Sequence, residues 1–307
     1  EELDDLILVR SDALPTYNFA VVIDDWDMHI THVIRGDDHI NNTPRQINLY
    51  QALGAPLPIF AHLPMILGDD GKRLSKRHGA VSVMQFREEG IVPEALLNYL
   101  VRLGWSHGDQ EIFSRHEMID FFDLSAVSRG VSSFNYDKLY WLNQYYLKEH
   151  NQSAALAELQ WHLIEQGIAL DQGPPLDALL ALQADRAKTL VELIDKSRYF
   201  FDDELIYDDE AVKKHLRPVI LEPFKVLHEH LKQLQLWTAE NIHHIIQDLC
   251  TTLDMGLGKL GQPLRVAVTG TSMSPAIDQT LALIGKDKTL KRLAIAIERI
   301  KERANAS

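Results

Sequence analysis

Sequence typical of strands is confined to the beginning of this chain, and this constrains its fold more than any other feature. Residues 19–23, 28–35 and 60–67 are rich in apolar and β-branched side chains, as buried strands are. Beyond residue 84 that pattern almost vanishes, and apolar residues recur every three or four positions. The sequence therefore predicts α/β architecture with a parallel sheet over residues 1–80, followed by an all-helical region.

Polar residues and glycines at the ends of the apolar runs predict where helices begin and end. Thr43 stands before a proline and three residues before Gln46, which is the pattern of a capping box. Gly54 is expected to end that helix. Ser114 and Glu117 form a second capping box. Further helices are predicted over residues 93–103, 137–146, 156–164, 242–253, 274–284 and 290–303, and loops over 168–177 and 254–263.

The composition is that of a globular protein of the cytoplasm. Apolar residues make up 46% of the 307 residues, which is ample for packed cores and suits about two to three domains. The single cysteine, Cys250, excludes an intramolecular disulfide and a cysteine-based zinc cluster, and it suits a reducing compartment. No apolar run approaches the roughly 18 residues of a membrane span, and no signal peptide is visible. We therefore expect a cytoplasmic protein without a membrane partner.

The charge balance is acidic, with local basic runs. The formal net charge of −13 does not exclude RNA binding, because affinity for RNA depends on local phosphate contacts. One basic run covers residues 72–78, and the other lies between residues 286 and 303. For the second run we favour a solvated helix face over a nucleic-acid contact.

The first basic run follows a turn signal and has the composition of a loop. Residues 68–71 read Gly-Asp-Asp-Gly, and residues 72–79 read Lys-Arg-Leu-Ser-Lys-Arg-His-Gly. Cations on a loop suit a reaction with a polyphosphate leaving group, because they stabilise negative charge as it develops. A solvated basic loop or a localisation signal is the alternative.

Three segments together resemble the second half of bacterial glutamyl-tRNA synthetases, which are class I aminoacyl-tRNA synthetases. They are residues 11–25, residues 30–46, which include Arg-Gly-Asp-Asp-His, and residues 74–79, whose Leu-Ser-Lys-Arg matches the second class I signature. The resemblance is strong over residues 10–105 and continues to the C-terminus. The first signature, a His-x-Gly-His-like element, is absent. We therefore expect a fragment that lacks the N-terminal part of the catalytic domain and is inactive alone.

The resemblance implies a fold, an activity and a set of partners. Residues 1–80 would be the second half of a Rossmann-type catalytic domain, 81–150 a helical stem-contact region, and 151–307 a helical anticodon-binding domain subdivided near 215–255. The activity would be ATP-dependent attachment of glutamate to tRNA(Glu) through a glutamyl-adenylate. Glutamate, ATP with Mg²⁺, and tRNA(Glu) would bind, and the enzyme would be a cytoplasmic monomer.

The same resemblance assigns residues of the basic loop to adenylate formation. Lys76 matches the second lysine of the signature and would contact the phosphates in the transition state. Arg73 replaces the first lysine, and Ser75 can donate a hydrogen bond to phosphate. Leu74 and Arg77 would complete the ATP contacts beside Lys76, although a solvated surface position is the alternative for Arg77.

Glutamate is expected to bind Tyr17, Val21 and Arg35, as the resemblance implies. An arginine fork matches a carboxylate bidentately, and Arg35 ends an apolar strand, where a cation is costly without an anionic partner. An ion pair of Arg35 with Asp37 or Asp38 is the structural alternative. For Tyr17 the alternative is a core aromatic with its hydroxyl at the surface.

Three further residues are candidates for tRNA binding. His39 lies at the C-terminal end of a predicted strand, where α/β sheets bind ligands, and would contact the tRNA 3′ end or ATP. The resemblance implies that Arg186 and Arg265 contact the anticodon. A satisfied turn is the alternative for His39, and a surface arginine for Arg186. No metal site is predicted, because His29 and His32 would point to opposite faces of a strand.

Other functions remain open on the sequence alone. A glutaminyl-tRNA synthetase would share the catalytic half but end in β-barrels, whose alternating short strands are missing here. A tRNA-base-glutamylating paralogue would end soon after the catalytic domain. A non-catalytic tRNA-binding fragment is the alternative of another class, and an unrelated nucleotidyltransferase would leave the helical region unexplained.

Overall fold

A computed structural model describes residues 5–68, 70–75, 82–149 and 152–305 of the chain. The helices, in chain order, are α1 Tyr17–Asp27, α2 Thr43–Leu53, α3 Val83–Glu88, α4 Pro93–Arg102, α5 Arg115–Phe121, α6 Tyr136–Glu149, α7 Gln152–Glu165, α8 Leu176–Gln183, α9 Leu190–Asp195, α10 Arg198–Phe201, α11 Asp209–His215, α12 Leu221–Gln233, α13 Ala239–Thr252, α14 Leu257–Thr269, α15 Ile277–Ile284 and α16 Lys286–Asn305. The strands are β1 His32–Gly36, β2 Ile59–Leu63, β3 Ile66–Leu67 and β4 Ser132–Ser133. No helix in the described ranges is long and apolar enough to cross a membrane.

These elements form two compact units. The first unit comprises Glu1–Val81 and Leu97–Tyr136, and the second comprises Ser82–Leu96 and Asp137–Ser307. In the first unit β1 and β2 pair in parallel, and β3 pairs in parallel with β4. In the second unit every described element is helical. The predicted order of an α/β region followed by a helical one is therefore confirmed.

The first predicted strand is wrong, because residues 19–23 lie within helix α1. The amides of Phe19 and Ala20 donate to the carbonyl of Thr16, which is a helical pattern, and Val22 is buried on one face of the helix. Packing of that face outweighs the strand preference of its β-branched residues. His29 follows α1 in a left-handed turn with φ of 56°, so the strand starts only at His32.

The third predicted strand is divided in two. The run over residues 60–67 is interrupted after Leu63, where β2 ends, and resumes at Ile66, where β3 begins. Pro64 occupies the break and has no N–H to donate to a neighbouring strand.

Several predicted helix termini are confirmed and others are wrong. Gly54 ends α2 with φ of 66°, and Ser114 and Glu117 form the predicted reciprocal capping box. Thr43 does not cap α2, because it is already the first helical residue. The loop predicted over residues 254–263 becomes helical at Leu257, since α14 buries the face of residues 260 and 264.

The buried amide of Asn143, on α6, connects three stretches of the second unit. Its Oδ1 accepts from the Val92 amide at 2.9 Å, and its Nδ2 donates to the carbonyls of Gly90 at 3.2 Å and Lys188 at 2.7 Å. Gly90 has φ of 82°, and a Cβ built there would lie 2.6 Å from the amide nitrogen of Val191. Glycine is therefore required at residue 90 both for its conformation and for the close backbone contact.

We predict that Gly90→Ala destabilises the second unit more than Gly167→Ala. Both positions have positive φ, but a Cβ at Gly167 meets nothing within 4 Å. Strain in the left-handed region costs each variant about 1–2 kcal/mol, and displaced backbone costs Gly90→Ala about 1–3 kcal/mol more. Urea unfolding followed by tryptophan fluorescence measures both, and equal losses would contradict the close-contact argument.

Candidate functional site

Arg35 lies at the end of β1 and is oriented by neutral oxygen atoms. Its Nη2 donates to Oγ1 of Thr43 at 2.8 Å and to Oε1 of Gln46 at 2.7 Å. The guanidinium carbon lies 5.5 Å from the ring centroid of Phe60. Its Nε is buried and has no hydrogen-bond partner among the described residues. The group is thus held in place with part of its hydrogen-bonding capacity unused.

Arg35 forms no ion pair with Asp37 or Asp38 in the described part of the chain, although the sequence offered this pair as the alternative to glutamate binding. Asp38 instead lies 3.4 Å from Nη2 of Arg73, on the basic loop. The carboxyl group that Arg35 affects is that of Asp25, on α1. Burial raises the pKa of Asp25, and the positive charge of Arg35 opposes that rise.

Tyr17 and His39 lie close to this arginine network, because the His39 carbonyl accepts from Oγ1 of Thr43 at 3.4 Å. Tyr17 and Val21 are four residues apart on α1 and so share a face. The Tyr17 hydroxyl lies 3.4 Å from Nδ1 of His39, and Tyr17 is 51% exposed, so it is not a core aromatic. Asn18, the residue after Tyr17 on α1, accepts a hydrogen bond at its Oδ1 from Gln46 Nε2 at 2.9 Å. The first unit therefore gathers Tyr17 and His39 around the elements that hold Arg35.

The described part of the basic loop is a tight hairpin. The Gly68 amide donates to the Lys72 carbonyl at 2.7 Å, and the Leu74 amide donates to the Ile66 carbonyl at 2.9 Å. Leu74 and Ser75 are half-buried, and Arg73 connects the hairpin to Asp38. Lys76 and Arg77 lie outside the described residues.

A cleft of about 960 Å³ lies in the second unit. Arg186 is exposed and lines it, as do Tyr199, Asp202, Thr269 and Ser274.

Arg265 lies beside the cleft. Its Nε donates to Ser274 Oγ at 2.8 Å, and its Nη2 donates to the Pro275 carbonyl at 3.3 Å. Burial lowers the pKa of Arg265, and the nearby charge of Arg186 lowers it further. Two like charges close together favour the binding of an anion between them. The structure thus brings together the two arginines that the sequence placed 79 positions apart.

The basic run on α16 was predicted to be solvated, and for four of its cations this is wrong. The four that donate to backbone carbonyls are Lys286, Lys288, Arg292 and Arg303. Arg299 remains exposed, as predicted, with its guanidinium 4.4 Å from the ring centroid of Tyr207. Arg292 is only 2% exposed. The sequence contains a signal for the burial of Arg292, because residues 292, 296 and 300 are four positions apart and Arg292 therefore shares a helix face with the apolar residues Ala296 and Ile300.

Two family models match the chain in succession. Residues 1–141 match the catalytic domain of class I tRNA synthetases (E and Q), and residues 154–297 match an anticodon-binding domain. The fold is thus that of a class I tRNA synthetase, a catalytic domain followed by a helical anticodon-binding domain.

Curated relatives give the closer assignment. Glutamate–tRNA ligases of Legionella pneumophila strains Paris and Corby are each 67% identical to the chain over 305 residues, which is 99% of the chain and 65% of the relative. The crystal structure of a glutamate tRNA ligase from Elizabethkingia meningosepticum in complex with its amino acid is 34% identical, with a TM-score of 0.79 over 97% of this chain and 63% of that one. The chain belongs to the glutamate–tRNA ligase family and spans about two thirds of the length of these relatives.

Proposed function

We propose that this chain serves an enzyme that attaches glutamate to tRNA(Glu) in the cytosol, through a glutamyl-adenylate made from ATP and Mg²⁺. The observation that carries the proposal is Arg35, a partly satisfied guanidinium held by neutral oxygens at the carboxyl end of a parallel strand. Ligands of α/β proteins bind at such strand ends, and a free carboxylate supplies the acceptors that Arg35 lacks. The 67% identity to glutamate–tRNA ligases supports the same reaction.

The proposed organisation follows the sequence analysis. Residues 1–80 contribute to the catalytic domain, 81–150 contact the tRNA stem, and 151–307 bind the anticodon, with a subdivision near 215–255. The enzyme acts as a monomer. A glutaminyl enzyme would end in β-barrels, and this alternative is disfavoured because every described element from residue 136 to 305 is helical.

Glutamate is proposed to place a carboxylate on Arg35, with Tyr17 and Val21 along one side. In a glutamate–tRNA ligase of full length carrying this sequence, Arg35→Leu should raise the KM for glutamate roughly tenfold to hundredfold, the effect of losing hydrogen bonds to a charged group. The KM for ATP should change far less. Initial-rate kinetics with each substrate varied measures both constants.

Arg45→Leu, on α2, is the control, because it removes an equal charge from a residue outside the Arg35 network. Equal increases in both KM values for Arg35→Leu would mean that Arg35 is structural. Circular dichroism spectra of both variants monitor folding.

The basic loop is proposed to neutralise the phosphates of ATP. Lys76 contacts them in the transition state, Arg73 and Ser75 support it, and Leu74 and Arg77 complete the ATP contacts. The ion pair between Arg73 and Asp38 supports this proposal, because it holds the base of the loop near the strand end that carries Arg35.

Lys76→Ala in the full-length enzyme should slow glutamate-dependent pyrophosphate exchange by about 10²–10³, the effect of losing one preorganised charge stabiliser. Lys72→Ala is the matched control in the same loop, where the Lys72 amine lies 3.9 Å from Asp70, and it should retain most of the activity. Exchange at the wild-type rate in Lys76→Ala would refute the role of this lysine.

The tRNA is proposed to contact both units, with its 3′ end at His39 and its anticodon in the cleft beside Arg186 and Arg265. Unpaired anticodon bases present hydrogen-bonding edges, and a guanidinium held at Nε and Nη2 by Ser274 and Pro275 is oriented to recognise them.

Arg265→Ala should weaken binding of cognate tRNA(Glu) by about 1–3 kcal/mol and binding of an anticodon-substituted tRNA by less. The difference in binding free energy between the two tRNAs should therefore become smaller. Filter binding of both tRNAs at two salt concentrations measures this. Arg217→Ala is the control, because Arg217 is exposed and does not line the cleft. A uniform loss for both tRNAs with a salt slope lower by about one would mean that Arg265 contacts only phosphate.

A further inference from the structure

We propose that Arg292 is a positioning residue for anticodon recognition, because it joins the two walls of the second-unit cleft and thereby sets their separation. The inference rests on the proposed function of that cleft. Arg292 itself does not line the cleft. It would act on a bound base only through the residues it holds.

The geometry of Arg292 supports this role directly. Its Nη1 donates to the carbonyl of Val268 at 2.9 Å, and its Nη2 donates to the carbonyls of Tyr199 at 2.7 Å and Asp202 at 2.6 Å. Tyr199 and Asp202 belong to one wall of the cleft, and Val268 immediately precedes Thr269 on the other. One planar group therefore holds both walls.

The acceptors of Arg292 are carbonyls at helix C-termini. Val268 is the residue before the last of α14, Tyr199 is the second residue of the four-residue helix α10, and Asp202 is the residue that follows α10. The last carbonyls of a helix have no partner within it, and they carry the negative end of the helix dipole. A buried cation there satisfies both helices at once. Lysine keeps the charge but not the planar fork that reaches acceptors on two helices.

Arg292 binds the same helix, α14, that carries Arg265, the residue proposed to recognise anticodon bases. Arg265 lies three residues before Val268 on the same helix, and its carbonyl accepts from the Thr269 hydroxyl at 2.8 Å. On the opposite wall, Gln183 Nε2 lies 3.5 Å from the Tyr199 hydroxyl, and Gln183 belongs to the cleft lining together with Arg186. A change in wall separation therefore changes the position of Arg265 relative to Arg186.

The same helix offers a matched control in Arg303. Its Nη1 donates to the carbonyls of Val212 at 2.9 Å and Leu216 at 3.0 Å. Neither Val212 nor Leu216 lines the cleft. Arg303→Lys therefore disturbs comparable arginine–carbonyl bonds on α16 without touching either wall.

The test compares Arg292→Lys, Arg303→Lys and the wild-type chain at a temperature where thermal melts show all three to be folded. Dissociation constants are measured for cognate tRNA(Glu) and for an anticodon-substituted tRNA. Discrimination is the dissociation constant for the substituted tRNA divided by that for cognate tRNA(Glu). We expect Arg292→Lys to lower this ratio about tenfold, while Arg303→Lys preserves it. An unchanged ratio in Arg292→Lys, or equal losses in both variants, would overturn the inference.

A milder variant keeps the inference testable if Arg292→Lys does not fold. Lys288 Nζ donates to the carbonyls of Gln172 at 3.0 Å and Phe200 at 3.1 Å, so it supports one wall only. Lys288→Met should reduce discrimination by a smaller factor, about threefold. Discrimination equal to wild type would count against the inference.

Measurements on the wild-type chain distinguish failure of the proposed anticodon-binding function from failure of the inference about Arg292. Absence of anticodon discrimination in the wild type would overturn the proposed function, and the inference with it. Discrimination that is present in the wild type, lost in Arg265→Ala and retained in Arg292→Lys would overturn the inference alone.

Discussion

The side-chain amide of Asn143 holds the second unit together at a point where three backbone stretches meet. It is fully buried, and it forms hydrogen bonds with the amide of Val92 and with the carbonyls of Gly90 and Lys188. Loss of any one of these partners would leave a buried polar group unpaired, which is costly. The Gly90 carbonyl that accepts from Asn143 also accepts from the Leu190 amide at the start of α9, where Gly90 lies in close contact with residues 190 and 191.

Arginines held by neutral oxygens are the second recurring feature. Arg35 in the first unit and Arg292 in the second both donate to uncharged acceptors rather than to carboxylates. Each has a buried Nε without a partner in the described part of the chain. The surroundings differ, however, because Arg35 is half-buried at a strand end, whereas the bonds of Arg292 are all to the backbone of the fold. We therefore assign Arg35 to a ligand and Arg292 to positioning.

The net charge of −13 and the proposed RNA partner are compatible because the positive charge is concentrated locally. Arg186 and Arg265 lie together beside a cleft, and Arg73 lies at the base of the basic loop. On α16, by contrast, four cations are used within the protein. A count of basic residues along the sequence therefore overestimates the surface available to a nucleic acid.

The sequence by itself determined the order of the two architectures, most helix termini and the family. These depend on local signals, such as the glycine at residue 54, the capping box at Ser114 and the motif residues at 74–79. Only the tertiary structure decided that residues 19–23 form a helix, that Thr43 binds Arg35 instead of capping, and which backbone carbonyls Arg292 binds. In each case a contact with another element of the fold decided the outcome. A single sequence records no such contact, because its free energy depends on which elements pack together.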